Sequence, residues 1–478
     1  MGRSATSISG VVTTGIYCRA GCPASPKVVN VRRYGSPVAA EAAGFRPCLR
    51  CRPDRLPPTY ASEGAPDAVG RALLIVGEGA LDEENEEQLA GQVGLSGRQL
   101  RRLFLQFVGA TPALVARSRR AHFARRLLDE TNLSITEITF AAGFASVRQM
   151  NRVMREIFRF APSELRAKRR ERDRLVADGG LPLRTPYTGP FSFDEQLSFL
   201  GARAIPGIET VGPGSFRRTI STCGHPGMIE VSDVGDGKHL LVLAHLPTYN
   251  ALIDDVARLR RIFGLDHPPA EWVATLAGDG LLQPLIAARP GLRLAGAWDR
   301  FEMAVRIVVG QQISVRGART ILGRLAQRFG VPVPGLAELG LTHLFPQAER
   351  LAQARESDLA ALGMPAARAA AIKRLARAYS SEQLSLEPSQ PLDRLLEQLL
   401  SLPGIGPWTA ECIALRAAGH QDAFPAEDLG LRRALGRQLG ANGSGATTAA
   451  ELRGRAEAWR PYRGLAAMHL WASLQPAT

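Results

Sequence analysis

The sequence of 478 residues has no apolar run of membrane-spanning length, only six cysteines and no export signal at its start. A membrane helix needs roughly 18 consecutive apolar residues, whereas the longest apolar stretches, such as HLLVLAHL from His239, have the length of a strand. Six cysteines are too few for a disulfide framework in so long a chain. These absences exclude a membrane protein and a disulfide-rich secreted protein, and they favour a reducing compartment, the cytoplasm.

Composition and length indicate several globular domains. Hydrophobic residues make up 45% of the chain and charged residues 22%, which excludes a disordered chain or a collagen. At roughly 100 to 200 residues per domain, the length predicts about three or four domains. Segments rich in proline and glycine, Pro53–Pro66 and the stretch ending at Pro190, separate a cysteine-bearing head, a basic helical part, a part with short strands and a long helical part.

Positive charge is concentrated in the basic helical part. Between Arg98 and Arg174 there are 18 Arg or Lys and 7 Asp or Glu, which accounts for most of the net charge of +14. Such a segment predicts a polyanionic partner. Because these arginines lie on helices with apolar faces, nucleic acid is favoured over a membrane surface. A merely solvated basic face is the alternative.

Four cysteines form two close pairs in the head. Cys18 and Cys22 are separated by three residues, Cys48 and Cys51 by two, and 25 residues lie between the pairs. Each pair supplies two thiolates from one turn, and the loop brings the pairs together, as a tetrahedral zinc site requires. The sequence therefore predicts bound Zn²⁺. Two disulfides, or four unrelated buried thiols, are the alternatives.

The segments GIYCRAGC and AAGFRPCLRC resemble the zinc-binding head of the Ada-type DNA methylation sensors. The resemblance implies that all four thiolates bind zinc and that Cys18 also accepts a methyl group from an alkylated DNA phosphate. Zinc keeps a thiolate deprotonated and nucleophilic at neutral pH, so this chemistry is consistent with the ligand set. The second methyl-accepting domain of that family, with its Pro-Cys-His-Arg motif, is absent from this sequence.

The basic part contains the same pattern twice. SGRQLRRLFLQFVGATP (Ser96–Pro112) aligns with SVRQMNRVMREIFRFAP (Ser146–Pro162) at an offset of 50 residues. Each copy opens with Ser-x-x-Gln, a capping box that begins a helix, and each follows a short helix and a glycine turn. The repeat predicts two helix-turn-helix units.

The tandem resembles the DNA-binding domain of AraC-type regulators. In a helix-turn-helix the second helix enters the major groove, with its first turns facing base edges. The expected DNA-binding residues are therefore Arg98, Gln99, Arg102, Arg148, Gln149 and Arg152. The implied partner is promoter DNA, with RNA polymerase as a further partner of an activator. A helical scaffold with exposed arginines, or a simple tether to DNA, is the alternative.

The C-terminal part carries a helix-hairpin-helix signature, Leu402-Pro403-Gly404-Ile405-Gly406. Its two glycines allow a tight turn that presents backbone amides to a DNA phosphate. Together with the acidic segment Asp422–Arg433, this signature resembles the helix-hairpin-helix DNA glycosylases of the AlkA type, 3-methyladenine glycosylases II. Similar segments extend over about residues 187 to 475. The resemblance implies excision of alkylated bases from double-stranded DNA.

The same resemblance implies the roles of individual residues. Asp428 is the catalytic carboxylate, which stabilises an oxocarbenium-like sugar. Trp408 and Trp471 are expected to wall a pocket for a cationic base, by cation–π contacts of roughly 0.5 to 2 kcal/mol, although simple core packing is the alternative for both. Cys412 is expected in that pocket. Gln312 is expected to fill the gap that an extruded base leaves.

Absent residues predict the type of reaction. Glycosylases that also cut the strand use a lysine amine, and their hairpin carries that lysine where this chain has Trp408. No lysine follows Lys373, and Cys412 is the only cysteine of the C-terminal part, so the ligands of an iron–sulfur cluster are missing. We therefore expect a monofunctional hydrolase that needs no cofactor for base release.

The sequence predicts a multidomain, mainly α protein. The expected domains are an Ada-type zinc head (1–58), an AraC-type tandem helix-turn-helix (67–170), a mixed α/β domain with an antiparallel sheet (186–295), and an all-α helix-hairpin-helix glycosylase core (296–478). The expected function is an alkylated-base glycosylase fused to a methylation-responsive regulator, located in the cytoplasm at the nucleoid. The rival hypothesis is a transcription activator whose glycosylase half is weak or vestigial.

Overall fold

The computed structural model describes residues 8–24, 26–53, 65–169, 174–175, 179–267, 269–439 and 447–474. The chain forms two compact units. The first unit comprises Met1–Pro186, Thr222–His225 and Leu241–Ala257, and the second comprises Tyr187–Ser221, Pro226–Leu240 and Arg258–Thr478. Within the described ranges, every helix is too short or too polar to cross a membrane.

The head of the first unit is a small four-stranded sheet with one helix. The strands β1 (Ile8–Val11), β2 (Ile16–Cys18), β3 (Val31–Tyr34) and β4 (Arg46–Pro47) have the order β3-β1-β2-β4, and α1 spans Pro37–Ala42. β1 is antiparallel to β2 and β3, whereas β2 and β4 are parallel. Because parallel strands end at the same edge of a sheet, Cys18 at the end of β2 and Cys48 just after β4 lie close together.

Eight further helices of the first unit are described between Asp67 and Ala167. They are α2 (Asp67–Gly77), α3 (Ala80–Glu83), α4 (Glu86–Gln92), α5 (Gly97–Phe107), α6 (Pro112–Glu130), α7 (Ile135–Ala141), α8 (Val147–Phe158) and α9 (Pro162–Ala167). Side-chain caps fix where the helices of the repeat begin, since Ser96 accepts a hydrogen bond from the Gln99 amide and Ser146 from the Gln149 amide. The two predicted helix-turn-helix units are therefore the pairs α4–α5 and α7–α8.

The predicted antiparallel strands are confirmed. A five-stranded sheet contains β5 (Leu181–Pro186), β6 (Glu209–Gly212), β7 (Ser215–Thr222), β8 (His225–Asp233) and β9 (His239–His245), in the order β5-β9-β8-β7-β6. β6 pairs with β7 in antiparallel register, with Val211 opposite Phe216. In the sequence, the helix α10 (Phe193–Arg203) lies between β5 and β6, and the helix α11 (Leu252–Ile262) follows β9.

The part of the second unit that follows Pro269 is helical. Its described α-helices are α12 (Pro269–Leu276), α13 (Leu282–Ala288), α14 (Arg300–Val309), α15 (Val315–Phe329), α16 (Ala348–Gln353), α17 (Glu356–Ala360), α18 (Ala366–Ser380), α19 (Leu392–Leu400), α20 (Pro407–Ile413), α21 (Leu429–Gln438), α22 (Ala449–Ala456) and α23 (Arg463–Ser473). Their buried side chains form two hydrophobic clusters, one built mainly on α14, α15, α18 and α20 and the other on α12, α21 and α23. Trp471 is half-buried and packs against both clusters, so it marks the junction between them.

Candidate active site and DNA-binding surfaces

The hairpin between α19 and α20 has the backbone geometry that its two glycines predict. Gly404 has φ +94°, a left-handed conformation that glycine adopts without strain. A Cβ atom on Gly404 would lie 2.8 Å from the Cβ of Ala371 on α18, so the close packing also requires glycine. Gly406 is the N-cap of α20, and Pro407 occupies its first turn. The exposed loop therefore directs the start of α20 toward solvent.

Asp428 is held by three hydrogen-bond donors. It is the N-cap of α21, where its Oδ1 accepts a hydrogen bond from the Leu431 amide at 2.9 Å. The indole Nε1 of Trp408 donates to Asp428 Oδ2 at 2.9 Å, and the indole Nε1 of Trp471 donates to Oδ1 at 2.9 Å. We call Trp408, Trp471 and Asp428 the indole clamp. The clamp brings together α20, which carries Trp408, the N-terminus of α21 at Asp428, and α23, which carries Trp471.

The structure brings together three of the residues that the sequence assigns to the glycosylase site. Both indoles meet Asp428 through their N–H edges, and both tryptophans are only half-buried. Trp471 packs against both hydrophobic clusters, and the hydrogen bonds of the two indoles to Asp428 are an additional contact that core packing alone does not require. Buried indole N–H groups usually have a hydrogen-bond partner, and here that partner is a carboxylate. Sequence reasoning assigned the tryptophans to the pocket wall and missed their hydrogen bonds to the acid.

The two adjacent acids of the turn have different surroundings. The Glu427 carboxylate forms an ion pair with Arg453 at the surface. Asp428, in contrast, has the two indoles and a backbone amide as partners, and no ion pair to it is found within the described part of the chain. Of the pair, Asp428 is therefore the carboxylate whose charge is not neutralised by a neighbouring cation.

Cys412 lies on α20, one turn after Trp408, and only 6% of it is exposed. Burial, reinforced by the negative charge of Asp428, raises the pKa of the Cys412 thiol above its usual range. The side chain is therefore a neutral thiol at physiological pH. Cys412 lies on α20, the helix that also carries Trp408, which agrees with its predicted position in the pocket. Its contact with a base stays a prediction.

Gln312 lies in the turn between α14 and α15. The residue is exposed, and its φ of +52° places it in the left-handed region, which is unusual for a residue other than glycine. An exposed side chain on a constrained turn is consistent with the predicted wedge. Its insertion into DNA stays a prediction.

The four cysteines of the head form the predicted metal site. The Sγ atoms of Cys18, Cys22, Cys48 and Cys51 all lie within 4.8 Å of one another, and the cysteines are not joined in disulfides. With Zn–S bonds of about 2.3 Å, a tetrahedral site needs sulfurs about 3.8 Å apart, so this group fits a zinc ion. The disulfide alternative is wrong.

Polar contacts join the head to the helix-turn-helix part within the first unit. The Tyr17 hydroxyl donates to Glu41 at 2.7 Å, and the same carboxylate oxygen lies 2.6 Å from Nε2 of His122 on α6. Arg52, next to the ligand Cys51, forms a 2.6 Å ion pair with the buried Asp129 at the end of α6. The head therefore packs against α6, which connects the two helix-turn-helix units. No local pattern in the chain predicts this packing.

The four arginines predicted to read DNA are exposed. Among the described residues, no hydrogen bond or ion pair is found for Arg98, Arg102, Arg148 or Arg152. Arg148 and Arg152 line a groove of about 600 Å³ with Arg155 and Arg159. These positions are free to contact phosphates or bases.

The side-chain oxygens of Gln99 and Gln149 accept hydrogen bonds from backbone amides at the starts of α5 and α8. The Gln99 Oε1 accepts a hydrogen bond from the Ser96 amide at 3.0 Å. The Gln149 Oε1 accepts one from the Ala145 amide at 2.9 Å. The Gln99 Oε1 also accepts from the Ser96 hydroxyl at 2.9 Å, so this side chain offers DNA mainly its N–H groups, whereas Gln149 offers its N–H groups and one remaining lone pair of its oxygen.

Four families match successive parts of the chain. They are the metal binding domain of Ada (residues 5–54), a helix-turn-helix domain (89–168), the AlkA N-terminal domain (182–299) and the HhH-GPD superfamily of base excision DNA repair proteins (305–461).

Relatives are similar to the whole chain and to its parts. A probable bifunctional transcriptional activator/DNA repair enzyme AlkA from Mycobacterium tuberculosis is 39% identical over 97% of this chain and 92% of its own length. The chain belongs to this family of bifunctional AlkA proteins. DNA-3-methyladenine glycosylase 2 of Escherichia coli is 33% identical over 59% of this chain and 94% of its own length. A 3-methyladenine DNA-glycosylase from Archaeoglobus fulgidus has a similar structure, with 26% identity, a TM-score of 0.52 and coverage of 60% of this chain and 97% of its own.

The chain joins an AlkA-like DNA glycosylase to Ada-like regulatory domains, as the sequence predicted. The match to the Ada metal binding domain and the group of four cysteines confirm Zn²⁺ as the metal. The helix-turn-helix and HhH-GPD matches confirm DNA as the partner. The individual site residues are predictions that the geometry above supports.

Gly430 is a site residue that sequence reasoning missed. It follows Asp428 by two positions in the first turn of α21, and a Cβ on it would lie 2.9 Å from Asp428 Oδ1 and 3.4 Å from Cδ1 of Trp471. The only signal in the sequence is a glycine inside a helix, where it costs roughly 1 kcal/mol relative to alanine. Glycine at this position leaves room for the indole clamp.

The Gly430→Ala variant is expected to lower kcat about tenfold while leaving KM nearly unchanged, because the added methyl displaces the carboxylate rather than the DNA-binding surface. Its thermal stability should change little, since the helix preference of alanine, about 1 kcal/mol, offsets the weakened Asp428 cap of α21, which costs a similar amount. Steady-state base release from methylated duplex DNA measures this. Gly454→Ala in α22, where a Cβ meets nothing within 4 Å, is the matched control. Equal kcat for the two variants would contradict the role of Gly430.

Proposed function

We propose that the AlkA-type half hydrolyses the N-glycosidic bond of 3-methyladenine and related alkylated bases in DNA, with Asp428 as the catalytic residue. The indole clamp is the observation that carries this proposal. Three N–H donors orient the Asp428 carboxylate without neutralising it. A fixed carboxylate stabilises positive charge that develops on the sugar in the transition state, and it needs no reorganisation during the reaction.

The reaction follows from the charge of the substrate. A purine methylated on a ring nitrogen is cationic, so when its C1′–N bond breaks, the electron pair of that bond leaves with a neutral base. The sugar becomes oxocarbenium-like, the oxygen of a water molecule bonds to C1′, and the proton that this water loses passes to the solvent. The products are the free base and an abasic site. Asp428 stabilises the sugar cation and orients the water.

The neighbouring side chains supply selectivity and access. The faces of Trp408 and Trp471 bind the cationic base, because indole rings attract cations more strongly than neutral bases. Cys412, a neutral thiol, borders the pocket, and its apolar surface packs against the methyl group of the bound base. Gln312 occupies the place that the extruded base leaves in the stack, while the hairpin at Gly404 and Gly406 binds a backbone phosphate.

An assay of the products tests this proposal. The protein is incubated with methylated duplex DNA, the released bases are separated, and the strand is analysed with and without alkali. We expect free 3-methyladenine and a strand that breaks only after alkali, since the chain has no lysine after Lys373 to form a Schiff base. Strand breaks without alkali contradict a monofunctional hydrolase, and no released base supports the activator-only hypothesis.

A second function, methyl transfer, is favoured by the zinc group of the head. We propose that Cys18 attacks the methyl carbon of a DNA methylphosphotriester. The S–C bond forms, the C–O bond breaks, and its electron pair stays on the phosphate, which becomes a diester. A zinc ion held by Cys18, Cys22, Cys48 and Cys51 would keep the Cys18 thiolate deprotonated and so favour its attack. Loss of one thiolate charge near the DNA phosphates then increases DNA affinity.

We further propose that the helix-turn-helix pairs read a promoter through Arg98, Arg102, Arg148 and Arg152, with Gln99 and Gln149 as donors. Two units read adjacent turns of a major groove in such tandem arrangements. An activator bound at a promoter also contacts RNA polymerase, which is therefore the second proposed partner. The protein would act in the cytoplasm, at the nucleoid. Transcription in vitro with purified polymerase tests this: the methylated protein should increase the yield from a bound promoter, and unchanged yield contradicts it.

A further inference from the structure

The turn that carries Gln312 is fixed by the residue before it. The Gln311 side chain donates from Nε2 to the Gly404 carbonyl at 3.1 Å and to the Thr409 hydroxyl at 2.9 Å. Gly404 is the left-handed glycine of the hairpin, and the almost fully buried Thr409 lies in the first turn of α20, next to Trp408. One side chain therefore connects the Gln312 turn to both ends of the hairpin.

The helix α18 also contacts both the turn that carries Gln312 and the hairpin between α19 and α20. Arg368, of which 8% is exposed, donates to the backbone carbonyl of Gln311. Arg374 donates from Nε to the Pro403 carbonyl at 2.9 Å, and Ala371 packs against Gly404. Residues three apart lie on one face of a helix, so a single face of α18 contacts both the Gln312 turn and the hairpin.

The hydrogen bonds of Gln311 and Arg368 fix the position of the Gln312 turn relative to the hairpin, and base extrusion requires such a fixed position. A wedge works only if it reaches the base stack at the place where the DNA backbone is held, and an exposed glutamine on an unsupported turn has no fixed relation to the hairpin. The left-handed φ of Gln312 is a conformation that a residue other than glycine keeps only when its surroundings impose it. Gln311 and Arg368 supply those surroundings through the hydrogen bonds described above.

We propose that Gln311 and Arg368 are positioning residues that hold Gln312 in register with the hairpin, so that phosphate binding and base extrusion occur together. The inference rests on the proposed function of Gln312 as the wedge. Gln311 acts through its two donated hydrogen bonds, and Arg368 through the backbone of the turn. Neither residue needs to touch the extruded base.

The test separates extrusion from binding and from chemistry. The probe is a duplex with one 2′-fluoro-arabino 7-methylguanine, which resists hydrolysis, beside a 2-aminopurine whose fluorescence rises when its neighbour leaves the stack. Fluorescence at saturation reports extrusion, and anisotropy with undamaged duplex reports general DNA affinity. Gln311→Met has a similar length and no charge but donates no hydrogen bond. Thr409→Val removes one acceptor, and Thr409→Ser retains it.

We expect the wild-type protein to raise the fluorescence severalfold and Gln311→Met to lose most of that rise, with its affinity for undamaged duplex changed less than about threefold. Thr409→Val should show a smaller loss, and Thr409→Ser should match the wild type. Gln353→Met, at an exposed position of α16, is the matched control. A full rise with Gln311→Met, or equal losses with the two Thr409 variants, overturns the inference.

Two further variants show which proposal has failed. If Gln312→Ala extrudes the base as well as the wild type, the wedge itself is refuted, and the positioning role falls with it. Asp428→Asn should extrude normally and release no base from a hydrolysable methylated duplex. A normal fluorescence rise with full base release in that variant refutes the catalytic proposal and leaves the positioning role standing. Equal thermal unfolding midpoints of Gln311→Met and the wild type show that the loss of extrusion is not a loss of fold.

Discussion

The Asp428→Asn variant is expected to release 3-methyladenine from methylated duplex DNA about 10²- to 10³-fold more slowly than the wild type, a loss of about 3–4 kcal/mol of transition-state stabilisation. Asparagine retains one oxygen, which can accept from the Leu431 amide and the Trp471 indole as Asp428 Oδ1 does, so the cap of α21 is preserved while the Trp408 indole loses its acceptor. It removes the negative charge that faces the sugar cation. Single-turnover rates at saturating protein measure the chemical step directly.

Glu427→Gln is the matched control for this prediction. Glu427 is adjacent to Asp428, but its carboxylate is paired with Arg453 at the surface, and an exposed ion pair contributes little to stability, about 0–1 kcal/mol. The variant should release base at nearly the wild-type rate. If Glu427→Gln lost as much activity as Asp428→Asn, the assignment of the catalytic charge to Asp428 would be wrong.

Methyl uptake from methylated DNA is expected to occur at Cys18 alone. Intact-mass measurement should show the gain of one methyl group, and peptide mapping should place it on Cys18, because this residue matches the methyl-accepting cysteine of the Ada family. Cys18→Ser should gain none, since an uncharged hydroxyl is a far weaker nucleophile than a zinc-bound thiolate.

Cys223→Ser provides the control for methyl uptake. Cys223 is exposed and lies outside the zinc group, so the variant should gain the methyl group as the wild type does. Uptake that moved to Cys22, Cys48 or Cys51 would retain the zinc chemistry but contradict Cys18 as the acceptor. No uptake by the wild type would mean that the head has only a structural role.

Local patterns were sufficient to predict the elements that carry the sites. The serine caps at Ser96 and Ser146 began the predicted helices because capping depends only on residues within one turn. The spacing of the four cysteines predicted a metal group, since zinc restricts its ligands to few arrangements. Asp428 and the tryptophans came from the resemblance to a family rather than from spacing.

Other features depend on tertiary contacts that no local pattern encodes. The indole N–H groups of Trp408 and Trp471 converge on one carboxylate although the two tryptophans are 63 positions apart. Gly430 matters only because Trp471 packs next to it. Gln99 and Gln149 are a different case, because their contacts are local: the Ser-x-x-Gln pattern indicates a helix cap, and their side-chain oxygens accept from the Ser96 and Ala145 amides at the helix starts.

The most direct test of the clamped carboxylate is its preference for a positive charge at the sugar. Two duplexes are compared, one with a neutral tetrahydrofuran abasic site and one with a pyrrolidine analogue that is cationic at neutral pH and resembles the oxocarbenium-like sugar. The wild type should bind the cationic duplex at least about tenfold more tightly, as enzymes bind transition-state analogues. Asp428→Asn should lose that preference. Equal affinity of the wild type for both duplexes, or an unchanged preference in Asp428→Asn, would contradict the role assigned to Asp428.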